Sequence, residues 1–319
     1  MPHPTEPVAP GPSVDDLLAT VRAVRDQMGA GDDVAALGAR AAALNPGWGG
    51  GGAAGRPAAA VAAAEEAVAL GRRAIETRPD DARFVLISAL INRAGGRLRV
   101  GDIAAAVEGL EEAARLFQGA GPSGLPFLGS MVEALHQAAL AFAELALWPH
   151  AVTMRRLIVD LFGESVPQPA VQMLVLTLVQ GARVAAQAED APLFPGLAWA
   201  EEAVGLARML ARPAAPDEPP PGDSPSLLLA QAWGGRAVWR HGAGDSPGGL
   251  QHALEAVDLL HGVVGHDPVA AVPTLILTLE SLAGILRALG LDDQAATVEG
   301  QQQVLRASLD RLSAAAPTA

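Results

Sequence analysis

A helical motif that returns about every 45 residues constrains this chain more than any other feature. The segments are Ala64-Glu65-Glu66-Ala67-Val68, Leu110-Glu111-Glu112-Ala113-Ala114, Arg155-Arg156-Leu157-Ile158-Val159, Ala200-Glu201-Glu202-Ala203-Val204, Ala253-Leu254-Glu255-Ala256-Val257 and Thr297-Val298-Glu299-Gly300-Gln301. Their first residues are separated by 46 (110−64), 45 (155−110), 45 (200−155), 53 (253−200) and 44 (297−253). The long step contains a Pro-rich insertion, Arg212 to Asp223. A fixed period of this size marks a solenoid, because one unit cannot bury its apolar face without a neighbour.

The length of 319 residues would suggest about two globular domains, but the repeat argues for one continuous array. Half of the 319 residues are apolar, so material for a core is ample, but much of it is Ala. Ala favours helix and lets helices approach closely. All 22 basic residues are Arg, and Lys, Tyr and Cys are absent, which is the composition of a very GC-rich bacterial genome. The lack of Cys removes disulfides, thiolate catalysis and thiolate metal sites. A net charge of −13 disfavours a nucleic-acid backbone and favours a basic partner. The N-terminus has no positive region followed by an apolar core. The apolar runs near Val171–Val179 and Ala270–Leu279 are too short to span a bilayer. These points together predict a cytoplasmic protein without a membrane partner.

The chain divides into a Pro-rich disordered leader at 1–13, two helices and a Gly-rich loop at 14–56, a repeat array at 57–312 with the insertion at 212–224, and a tail at 313–319. The early helices fall at about 14–28 and 32–44. Within the array, helices are expected at about 57–77, then in pairs at 81–95 and 102–117, 125–147 and 149–163, 168–188 and 196–211, 225–241 and 247–264, and 268–289 and 292–312. Asp102 reads as an N-cap, Asp245-Ser246-Pro247 as a cap followed by a first-turn Pro, and Gly290 as a C′ glycine. Short loops between apolar helices of similar length imply antiparallel neighbours.

In the second helix of several pairs, small and larger apolar residues alternate at helical spacing, as in Ala106, Leu110, Ala113 and Leu116 or Ala200, Val204, Ala207 and Leu210. This pattern resembles the tetratricopeptide repeat (TPR). The pairs at 81–118 and 225–265 are also similar to the longer repeats of actinobacterial proteins that carry a caspase-like CHAT domain. In both, an Arg-bearing helix end runs into Gly-Asp and a new helix: Arg97-Leu98-Arg99-Val100-Gly101-Asp102 and Arg240-His241-Gly242-Ala243-Gly244-Asp245. The resemblance implies a protein-interaction array. The protease itself needs a Cys, which this chain lacks.

Candidate chemistry resolves into structural roles. The pairs Asp15-Asp16, Asp32-Asp33, Asp80-Asp81 and Asp292-Asp293 suggest Mg²⁺ held on a diphosphate, but none continues to a third Asp at the needed spacing. All four sit at expected helix starts, where Asp caps the helix and meets its dipole. His241, His252, His261 and His266 have no zinc-type spacing with a carboxylate and read as surface or packing residues. No Gly-x-Ser-x-Gly occurs, and the Gly run at 49–52 has no Lys to reach a phosphate. No catalytic residue, metal site or cofactor is assigned.

The fold expected is an all-α, right-handed solenoid of about six antiparallel helical hairpins, TPR-like. The first helix of each pair would line a concave groove. Its polar residues are the partner-binding candidates: Asn92, Arg93, His136, Gln137, Gln180, Arg183, Gln231, Arg236, Trp239, Arg240 and Arg287. Arg and Trp are favoured interface anchors, and Arg236, Trp239 and Arg240 share a face at i, i+3 and i+4. The function expected is a scaffold or adaptor that holds a protein or peptide, not an enzyme. A ligand- or peptide-sensing regulator, a metal-free enzyme of a secondary-metabolite pathway, and homo-oligomerisation through an end cap are the other readings.

Overall fold

The computed structural model describes residues 57–77, 79–121, 124, 127–187, 195–212 and 223–315. The leader, the helices expected at 14–28 and 32–44, the Gly-rich loop, most of the Pro-rich insertion and residues 316–319 lie outside the described residues. Among the described residues there are eleven α-helices and no strand. They are α1 (Pro57–Thr77), α2 (Pro79–Arg99), α3 (Ile103–Gln118), α4 (Leu128–Glu144), α5 (Trp148–Phe162), α6 (Gln168–Gln187), α7 (Gly196–Leu210), α8 (Asp223–Gly242), α9 (Ser246–Val264), α10 (Pro268–Ala288) and α11 (Asp292–Ala315). The chain forms two compact units, Met1–Leu161 and Phe162–Ala319.

One turn recurs within the hairpins of both units. Gly101, Ala146, Gly244 and Gly290 all have positive φ (80°, 57°, 89° and 74°). Their spacings are 45 (146−101), 98 (244−146) and 46 (290−244), so the turn follows the sequence period. In each case the next residue donates its N–H five residues back: Asp102 to the Arg97 carbonyl at 2.9 Å, Leu147 to Phe142 at 2.8 Å, Asp245 to Arg240 at 2.8 Å and Leu291 to Leu286 at 2.9 Å. This is a Schellman motif, which satisfies the last carbonyls of one helix and reverses the chain. After Gly101 and Gly244 the following helix opens on a side-chain cap. Asp102 Oδ1 accepts from the Ala105 N–H at 3.3 Å, and Asp245 Oδ1 from Gly248 at 2.9 Å.

In the first unit, α2 packs against α1 and α3. By sequence register α1 is a second helix, since it carries the Ala64–Val68 segment. The interior is Ala-rich: Ala82, Ala94, Ala106, Ala113 and Ala138 are fully buried beside Leu90, Leu110, Leu135 and Phe142. α2 runs to Arg99, four residues past the end expected at about 95. Gly96 is there because α1 lies so close: a Cβ on it would sit 3.1 Å from Val61 Cγ2. The helices are tied by Arg72–Glu112 at 2.8 Å, by Arg97 with both Glu65 and Asp102, and by Phe84 stacked on Phe127 with ring centroids 4.2 Å apart.

In the second unit, α8 packs on both α6 and α7 of the preceding hairpin as well as on α9, and α10 packs on α8, α9 and α11. The first helices α6, α8 and α10 are therefore successive neighbours. A single core joins α8 to α11 through Ala230, Ala237, Ala253, Leu260, Leu275, Leu279, Ile285 and Ala295. Helices α6 and α10, at 20 and 21 residues, are longer than their apolar runs and by length and composition would cross a bilayer. About half of each is buried inside this unit.

Candidate interaction surface

Helices α6, α8 and α10 bring part of the polar set onto neighbouring elements. Gln231 Nε2 on α8 donates to Thr274 Oγ1 on α10 at 3.2 Å. On α6, Gln180 is exposed and Arg183 is half-buried. Among the described residues Arg183 has neither a hydrogen bond nor an ion pair. Burial pushes its guanidinium below the ordinary arginine value, and the Glu280 carboxylate on α10 acts in the opposite direction. Arg183 and Glu280 thus feel each other across α8. Glu280 is itself held from α11, by Arg306 at 2.9 Å and Gln302 at 3.3 Å.

The other candidates of this unit are occupied within it. Arg236 on α8 reaches Glu201 on α7 at 3.5 Å. Arg240 binds Asp245 at 2.6 Å, and Arg287 binds Glu299 at 2.5 Å. The Gly248 N–H, and after it Arg240, hold the Asp245 carboxyl below its usual range. Trp239 lays its indole against the start of α7, where a Cβ on Gly196 would meet Nε1 at 2.3 Å. The i, i+3, i+4 face of Arg236, Trp239 and Arg240 is therefore engaged with α7 and with the α8–α9 turn.

In the first unit, Arg93 on α2 lies 3.9 Å from Glu112 on α3, and Asn92 Oδ1 is buried without a hydrogen-bond partner. Gln137 Nε2 donates to Glu133 at 2.8 Å, one turn along α4. His136 faces Arg155 of α5, with Nδ1 2.6 Å from Nη1. Its pKa is lowered by burial and then by Arg155, against the pull of Glu133.

Two clusters were not among the sequence candidates. Trp233 is buried with Arg208 on one ring face at 4.6 Å, Arg236 at 5.5 Å, and His252 stacked at 4.7 Å. Burial, then Arg236, lowers the His252 pKa. The other is Arg155 itself, only 3% exposed. Its signal was in the repeat register: it takes the place held by Leu110, Ala200 and Ala253 in other units. Among the described residues no three His, Cys, Asp or Glu side chains group as a metal site.

No protein-family model matches the chain, and no curated protein matches it. Among solved structures it is similar to BtubC (BKLC) from P. vanneervenii, at 14% identity and a TM-score of 0.44 over 80% of this chain and 93% of that one. It is also similar to a putative kinesin light chain with nearly identical TPR-like repeats from Podosopora anserina, at 17% identity and a TM-score of 0.34 over 70% of this chain and 96% of that one. Of these two neighbours, the second is described as carrying TPR-like repeats.

Proposed function

We propose that the protein is a cytoplasmic scaffold or adaptor whose second unit holds a protein or peptide partner on the face formed by α6, α8 and α10. The observation that carries this reading is Arg183. It is a half-buried cation with no hydrogen bond or ion pair among the described residues, beside exposed Gln180 and within the field of Glu280. A desolvated guanidinium is stabilised by acceptors. A peptide carbonyl or carboxylate laid along α6 supplies them; Glu280 is already held by Arg306 and Gln302 of α11. Most other arginines of the first helices are already matched by carboxylates, so the surplus charge of −13 is left to steer a partner of basic character.

The test is native mass spectrometry of what co-purifies with the chain from an extract of its own organism, followed by affinity measurement with Gln180→Ala and Arg183→Gln together. The expected result is a stoichiometric protein partner whose affinity falls about tenfold or more, the range of a lost anchor, with helicity unchanged. Unchanged affinity removes this face from the reading, and a retained small molecule in place of a protein removes the scaffold role. Arg236 and Arg240 are poor probes, because removing them unpairs Glu201 and Asp245 within the fold.

A further inference from the structure

In the α4–α5 hairpin an arginine stands at a register where three other units put a small or aliphatic core residue; the first and last units have the half-buried Ala64 and the exposed Thr297 there. Leu110, Ala200 and Ala253, at the same register, are 0%, 1% and 0% exposed, and Arg155 is 3% exposed. Among the described residues Arg155 makes no ion pair, its Nε is buried without a partner, and its one hydrogen bond runs from Nη1 to His136 Nδ1 at 2.6 Å. A guanidinium has donors only. His136 Nδ1, the nitrogen that faces Arg155, must therefore carry a lone pair, and the ring must be neutral.

We infer that His136 and Arg155 form an acid-sensitive latch between α4 and α5: a proton taken from solvent by the facing ring nitrogen replaces their hydrogen bond with a contact between two cations inside the hairpin, and the helices open. The charges acting on the ring are Arg155 from α5, which opposes protonation, and Glu133 from α4, which favours it. Glu133 is exposed and shares its carboxylate with Gln137, so burial and Arg155 prevail. The hairpin's other histidine, His150, packs on Phe142 with ring centroids 5.5 Å apart and has no arginine bonded to it among the described residues. The sign follows from the lowered pKa. The unfolded chain binds the proton more tightly, so the latch is fully stabilising above the ordinary histidine value of 6.5 and is lost as pH falls through and below it. The inference is independent of the partner face on α6, α8 and α10.

The experiment uses the full chain. Ring-nitrogen NMR follows His136, and amide hydrogen exchange, corrected for intrinsic rates, compares α4–α5 with the histidine-free α2–α3 hairpin at pH about 7.5 and about 5, on either side of the ordinary histidine range. The expected result is a neutral His136 at the higher pH and, at the lower, about tenfold faster exchange in α4–α5 relative to α2–α3, the equivalent of one pKa unit. His136→Asn keeps an acceptor without a titrating proton, and Arg155→Leu installs the residue that Leu110 provides at this register. His136→Asn should abolish the acid response, and Arg155→Leu, which leaves the ring half-buried, should weaken it clearly; the leucine variant decides the matter if the asparagine variant does not fold. A His136 that titrates at or above 6.5 with no change in exchange, or a response undiminished in Arg155→Leu, overturns the latch.

Discussion

Hairpins α4–α5 and α8–α9 share one turn geometry but treat their interior cations differently. In α8–α9, Arg236 and Arg240 have Glu201 and Asp245 as partners, and His252 stacks on Trp233 without a bond to either arginine. In α4–α5, Arg155 has no carboxylate among the described residues, and its one partner there is a histidine that must stay neutral. The turns differ as well: Gly244 supplies the left-handed residue in one and Ala146 in the other. An unbranched register with matched charges is what packing alone asks for. The α4–α5 hairpin departs from it twice, and departures of this kind are where a repeat carries something besides stability.

The contrast can be broken first at the packing of α8. A Cβ on Gly242 would lie 2.6 Å from the Ala186 carbonyl oxygen on α6, a backbone atom that cannot swing aside. Gly242→Ala should cost the second unit about 2–3 kcal/mol, the upper range of overpacking, as read by urea denaturation. A loss under about 0.5 kcal/mol, ordinary for a surface change, would mean that α6 and α8 separate at little cost. Gly244→Ala comes next, at about 1–2 kcal/mol for an L side chain held at positive φ. Equal stability of the two chains would show that the turn relaxes. Asp102→Ala should cost about 1 kcal/mol through the lost cap and leave Arg97 with Glu65 as its carboxylate partner; faster amide exchange confined to the start of α3 is the signature. Smallest and opposite in sign, Ala146→Gly should stabilise by about 0.5 kcal/mol, the relief of strain less the greater freedom of the unfolded glycine. If it destabilises instead, Ala146 is not strained and the two turns are equivalent.

Much of this fold was legible because its signals are local. The period placed each helix, and the caps Asp102 and Asp245 and the C′ glycine Gly290 are written in residues a few positions from the atoms they bind. The end of α2 was less legible, because Gly96 is explained by the close approach of Val61, 35 residues away, and nothing beside it in the chain says so. The candidate surface was less legible for the same reason. Arg236 finds Glu201 at a separation of 35 residues, and Trp239 finds Gly196 at 43 (239−196). Polar residues at helical spacing say which face they share but not whether a second helix already occupies it. Arg155 could have been found, because comparing the repeats position by position sets it against Leu110, Ala200 and Ala253.

The packing of α8 across both helices of the hairpin before it has a mechanical consequence. In the second unit α11 rests mainly on α10, and α10 on α8, α9 and α11, so each hairpin is the seat of the next. A pull applied beyond Ala315 would meet α11 first, with its tethers Arg306–Glu280 and Gln302–Ile276 at its root. Extension should then proceed from that end in hairpin-sized steps, each rupture baring the apolar seat of the element just removed. The second unit should thus yield from its last described helix inward, one stacked coupling at a time.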